Sequence, residues 1–180
     1  MRAAICPASF DPVTNGHVDI IERASAIFDQ VLAVVFHNVA KRPLFTVEER
    51  VRMLSRAVGH LRNVEVDHAD GLLVHYAQRR DVKVIVKGLR ATTDFEYEFQ
   101  MALMNKKLDP EVETMFIMTS SAHSYLSSSV VKEVARWGGC VKSLVPAGVD
   151  QCLRDRLLDA HGRPLAGVLS SKGPGDWETG

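Results

Sequence analysis

Arg2-Ala3-Ala4-Ile5-Cys6-Pro7-Ala8-Ser9-Phe10-Asp11-Pro12-Val13-Thr14-Asn15-Gly16-His17 holds three kinds of chain in one short run. Ala3 to Cys6 is an apolar run that suits a buried strand, and Pro7 and Pro12 stiffen the loop after it. Val18, Ile20, Ile21, Ala24, Ile27 and Phe28 then recur at helical spacing. Thr14 has the side chain of an N-cap, which puts Asn15, Gly16 and His17 in the first helical turn. There the unpaired backbone N–H groups and the positive end of the helix dipole favour an anion, above all a phosphate. Helical side chains lean toward the N-terminus, so the His17 imidazole is expected over that anion site, with Gly16 leaving room beside it.

Strands and helices continue to alternate outward from this unit. Gln30 to Phe36 is a β-branched apolar run suited to a strand buried on both faces. Thr46 and Glu49 form a capping box ahead of the stripe Val47, Val51, Met53, Leu54 and Val58. Asn63 to Asp67 and Val82 to Val86 read as strands, with a short helix from Leu72 to Arg79 between them. Lys87-Gly88-Leu89-Arg90 is expected as a loop, followed by a long amphipathic helix from about Asp94 to Lys107. A strand from Thr114 to Met118 and helices over Ser128 to Arg136 and Val149 to Asp159 complete the pattern. This predicts an α/β fold: an open, mostly parallel, Rossmann-like sheet of five strands with helices on both faces.

At 180 residues and 46% hydrophobic content, the chain has material for one substantial core, expected over residues 1–160. Residues 161–180 turn to Gly, Ser and Pro and are expected to be a disordered tail. Zero formal net charge gives no sign of a nucleic-acid partner or an anionic membrane. Cys6, Cys140 and Cys152 are widely spaced and suit reduced thiols. No apolar run approaches the roughly 20 residues that span a bilayer, and the start has no apolar signal segment. A cytoplasmic protein is expected.

In an open α/β sheet the ligand sits outside the carboxyl ends of the strands. Those ends carry Ser9 and His17, then Lys41 and Arg42, the region of Leu72 and Leu73, Lys87 and Arg90, and finally Ser124 with Ser127, Ser128 and Ser129. Cations and two helix N-termini gathered on one edge of a neutral protein suit a polyphosphate.

The motifs on that edge resemble those of one family. Thr14-x-Gly16-His17 is similar to the (T/H)-x-G-H signature of the nucleotidyltransferase superfamily. The run from Pro7 to His17 resembles that of the bacterial phosphopantetheine adenylyltransferases, as do Lys41-Arg42-Pro43-x-Phe45-Thr46 and Lys87-Gly88-Leu89-Arg90 followed by Asp94-Phe95-Glu96-Tyr97-Glu98. Ser124-Tyr125-Leu126-Ser127-Ser128-Ser129-x-x-Lys132-Glu133-Val134-Ala135 is similar to the same family's serine block. Ala8 stands where the family commonly has glycine, and Lys87 where it commonly has arginine.

The resemblance implies transfer of AMP from ATP to 4′-phosphopantetheine, with Mg²⁺ bridging the ATP phosphates, in a homohexamer. It implies His17, Ser9, Lys41 and Arg90 as catalytic residues. ATP would meet Ser9, Phe10, His17, Gly88, Leu89, Arg90, Glu98, His123, Ser124, Tyr125, Leu126, Ser127, Ser128 and Ser129, and the acceptor Ser9, Lys41, Leu73 and Lys87. Beside phosphates the His17 ring is expected to carry positive charge. The alternatives are a nicotinate-mononucleotide adenylyltransferase, a cytidylyltransferase, or a nucleotide-binding module without catalysis.

Overall fold

The computed structural model describes residues 2–36, 42–90 and 92–165, with the backbone alone for 92–94. Its five strands are β1 (Ala3–Ala8), β2 (Gln30–Phe36), β3 (Val64–Ala69), β4 (Val84–Leu89) and β5 (Glu113–Met118). They pair in the order β3-β2-β1-β4-β5, and every pairing is parallel. Between and after them run α1 (Asn15–Ile27), α2 (Val47–Val58), α3 (Leu73–Arg79), α4 (Thr92–Leu108), α5 (Ser128–Arg136) and α6 (Val149–Leu157).

Alternation along the central strands divides the core into two layers. Ala4 and Cys6 of β1, with Val31, Ala33 and Val35 of β2, face a cluster built from α1, α2, α5 and α6 through Ile21, Leu54, Val131 and Leu153. Ile5, Leu32, Val34 and Ile85 face the other side, where Tyr76 and Ala77 of α3 cover them. Both faces are covered, as the unbroken apolar runs of β1 and β2 require.

Two expectations change. Lys87, Gly88 and Leu89 belong to β4 and do not form a loop: they stay in register with Phe116, Ile117 and Met118 of β5. Gly88 signals close packing here, because a Cβ on it would lie 2.9 Å from Cγ1 of Ile20. The second change is α4, whose apolar residues do not gather on a buried stripe. Phe95, Tyr97, Phe99, Met101, Leu103 and Met104 are exposed, next to the exposed Met115 and Met118 of the edge strand β5. Stacking of Phe95 on Phe99, with ring centroids 5.5 Å apart, holds part of this patch together.

Up to Leu165, the segment expected as a tail is hydrogen-bonded to the end of α6. The Leu165 N–H donates to the Leu157 carbonyl at 3.0 Å, and Leu158 and Pro164 form an antiparallel bridge. Among the described residues no helix is long and apolar enough to cross a membrane.

Candidate active site

The strand order reverses between β1 and β4, and such a switch point leaves a crevice at the carboxyl ends of the two strands. A cavity of about 420 Å³ opens there. Ser9, Phe10 and His17 line it from the β1 side, Lys87, Gly88 and Arg90 from the β4 side, and Glu98 from α4. Leu126, Ser128 and Ser129 close it from the start of α5.

The first turn of α1 fixes His17. Thr14 adopts an extended φ of −121° as N-cap, and its hydroxyl oxygen accepts the His17 backbone N–H at 3.4 Å. The imidazole reaches back so that Nδ1 accepts the Thr14 N–H at 3.0 Å. This completes a capping box in which histidine takes the place usually held by Glu or Gln. With Nδ1 occupied as an acceptor, the ring proton belongs on Nε2, which is left as a donor. Burial, together with the charges of Arg90 and Lys87, pushes the His17 pKa down to about 4. These surroundings favour a neutral ring at neutral pH.

Phe10 supports the ring edge-on, with centroids 5.0 Å apart. Its backbone φ of 47° is in the left-handed region, and this turns the chain out of β1 into the loop that carries Asp11 and Thr14. Arg50, only 1% exposed, donates to the Ser9 carbonyl at 2.9 Å and so holds the same loop from α2.

On the β4 side Lys87 Nζ lies 3.1 Å from Glu98 Oε2, so one carboxylate offsets one of the cavity's cations. Arg90 donates to the Leu126 carbonyl at 2.9 Å, which ties the end of β4 to the turn before α5. In that turn the three serines divide the work. Ser127 caps α5 by accepting the Val130 N–H at 3.1 Å, Ser128 donates to the Pro12 carbonyl at 2.8 Å, and Ser129 faces the cavity.

Not every anticipated residue reaches this cavity. Lys41 lies outside the described residues. Leu73 begins α3 and packs beside the core of Ile5 and Leu32. Leu89 is buried, while Ser124 and Tyr125 are exposed, the latter at 65%, and do not line the cavity. His123 sits close to the α1 N-terminus, since a Cβ on Gly16 would lie 3.5 Å from its own Cβ. The supports Asp11, Arg50 and Lys132 went unassigned from sequence. Asp11 and Lys132 do stand inside the motif runs quoted above, and the four-residue spacing of Ser128 and Lys132 puts both on one face of α5.

Comparison with known proteins gives the family. The cytidylyltransferase-like family profile matches residues 5–134. A phosphopantetheine adenylyltransferase of Caldanaerobacter subterraneus is 54% identical over 157 residues, which is 87% of this chain and 98% of that protein. One from Clostridium botulinum is 56% identical over 146 residues, 81% of this chain and 92% of its own. Among solved structures, a Plasmodium falciparum nicotinic acid mononucleotide adenylyltransferase complexed with NaAD aligns with a TM-score of 0.61 at 12% identity, over 84% of this chain and 93% of that one, a likeness of fold alone. By the family profile and these relatives, this chain belongs to the phosphopantetheine adenylyltransferases within the cytidylyltransferase-like family.

Proposed function

We propose that this enzyme transfers AMP from ATP to 4′-phosphopantetheine, forming dephospho-coenzyme A and pyrophosphate, a step of coenzyme A biosynthesis. The observation that carries this reading is the switch-point cavity, in which a neutral imidazole donor stands opposite Lys87 and Arg90 at two helix N-termini.

The acceptor phosphate is already an anion, so its oxygen attacks the α-phosphorus of ATP without a general base. The bond from that phosphorus to the bridging oxygen of pyrophosphate breaks, and pyrophosphate leaves with its electron pair. The enzyme's contribution is to hold two polyanions in line and to offset their charge. His17 Nε2–H donates to the α-phosphate oxygens, where negative charge builds up. Ser9 orients both reacting phosphates, and Lys41 with Lys87 takes the acceptor phosphate. Arg90 and the turn from Ser127 to Ser129 take the β- and γ-phosphates. Gly88, Glu98 and Leu126, which line the cavity, adjoin the adenosine.

Binding of the acceptor phosphate at Lys87 competes with Glu98 for the ammonium group, which releases the carboxylate toward the nucleotide. Mg²⁺ would be supplied with the triphosphate, and its charge would offset that of the phosphates. Among the described residues no three His, Cys, Asp or Glu side chains gather to hold a metal. We propose a homohexamer in the cytoplasm. The exposed apolar surface of α4 and β5 supports subunit contact, since a soluble monomer rarely leaves such a patch uncovered.

The test is to give purified protein ATP and Mg²⁺ with 4′-phosphopantetheine, nicotinate mononucleotide or choline phosphate, and to measure pyrophosphate release. Release should respond strongly to the first alone. A stronger response to another acceptor would reassign the substrate, and ATP binding without release would make this a binding module. Light scattering reads the assembly, and a monomer at micromolar concentration would refute the hexamer.

A further inference from the structure

Asp11 is a buried carboxylate, 6% exposed, that does not line the cavity. Both of its oxygens accept the Leu44 N–H, at 3.1 and 3.0 Å, and Oδ1 also accepts the Phe45 N–H at 3.0 Å. Lys132 Nζ pairs with Oδ2 at 2.7 Å. Three segments distant in sequence therefore meet on one side chain: the loop after β1, the loop before α2 and the helix α5.

Each segment carries a group assigned above to one substrate. Ser9 lies two residues before Asp11. Lys41 lies three residues before Leu44 in the sequence. Ser128 lies one helical turn before Lys132 and binds the Pro12 carbonyl, next in sequence to Asp11. From the opposite side Arg156 donates to the Leu44 carbonyl at 2.9 Å, and its guanidinium lies 5.3 Å from the centre of the Phe45 ring. Leu44 is thus held by both its N–H and its C=O.

We propose that Asp11 and Lys132 are a positioning pair that sets the separation between the acceptor-phosphate loop and the serine turn that takes the triphosphate. The proposal rests on the reading of the site as one for ATP and a phosphorylated acceptor. An uncharged side chain does not serve at position 11. Asparagine has one acceptor oxygen and turns an NH₂ group toward either a backbone N–H or the lysine, donor against donor. Such an ion pair, with the Lys132 side chain 23% and the Asp11 side chain 8% exposed, contributes little to stability compared with apolar packing.

The test uses the full-length chain as Lys132→Gln, Lys132→Arg and Asp11→Asn, each checked by circular dichroism. Pyrophosphate release is measured with 4′-phosphopantetheine and ATP, and ATP affinity by calorimetry. Lys132→Gln and Asp11→Asn should lose on the order of 10- to 100-fold in kcat/KM for the acceptor, the scale of a misplacement near 1 Å. ATP Kd should stay within about threefold, and Lys132→Arg, which keeps the charge, should recover most of the loss. Unchanged acceptor kinetics in either folded variant would overturn the proposal. So would an equal loss of ATP affinity, which would make the pair part of the ATP site. Should Lys132→Gln fail to fold, Asp11→Asn decides. An inactive wild type would sink the functional reading itself, whereas an active wild type with unaffected variants would sink the positioning pair alone.

Discussion

The Thr14 backbone N–H donates to Nδ1 of His17 at 3.0 Å, and this single bond assigns the imidazole its tautomer. In the proposed mechanism His17 would act as a preset hydrogen-bond donor through Nε2. His17→Ala should lower kcat by on the order of 10²–10³, equivalent to about 3–4 kcal/mol, while ATP Kd moves a few-fold. His17→Gln should recover part of that, because its amide oxygen can accept the Thr14 N–H while its NH₂ faces the cavity. Turnover near wild type in His17→Ala would remove the residue from the mechanism.

The same ring makes stability depend on pH. The folded pKa of about 4 lies below the ordinary value of 6.5, so between these values the unfolded chain holds a proton that the folded one lacks. Stability contributed at this position is therefore lost as pH falls from 6.5 toward 4. Urea unfolding at pH 7 and pH 5 should show wild type losing more stability than His17→Gln. Equal losses would mean that the ring is protonated in the folded protein.

Gly88→Ala tests the contact of β4 with α1. Its new methyl would meet Ile20 Cγ1 at 2.9 Å and Cδ1 at 3.2 Å, and an overpacked core costs about 1–3 kcal/mol. A lower melting temperature should come with lower kcat/KM, since Lys87 and Arg90 flank the glycine. An unchanged melt would show that Ile20 turns aside freely.

Thiol labelling should separate the cysteines. Burial pushes the Cys6 thiol up to about 12, and Lys87 only partly counters it, while Cys140 is exposed. One rapid modification, mapped to Cys140, is expected at pH 8, with Cys6 reacting only on unfolding. Rapid labelling of Cys6 would contradict its burial.

The parts legible in the sequence were those set by near neighbours. Thr46 and Glu49 close their capping box because the partners are one turn apart, at 2.8 and 3.3 Å. The paired strands β1 and β2 could be read from their unbroken apolar runs. Gly88 misled because a glycine in a strand and one in a loop look alike until the Ile20 side chain pressing on it is known. In α4 the apolar residues were visible, but which of them face outward depends on what α3, β4 and β5 already cover. Asp11 and Arg50 act on partners more than thirty residues away, Leu44 and Ser9, and no local pattern carries such a pairing.

The pairing of β1 with β4 at Ile5↔Ile85 has a consequence for the order of folding. β1 stays in register with β2 from Ala3↔Gln30 to Ala8↔Val35, a connection closed by a short stretch of chain. Its other edge must wait for a strand some eighty residues further on, and closing so long a loop carries the larger entropic cost. A growing chain that has completed β3 already carries Ser9 and His17 but has no Lys87 or Arg90 facing them. The switch-point cavity comes into being only when the two halves of the sheet zip together, so a chain halted between β3 and β4 can acquire secondary structure and still lack it.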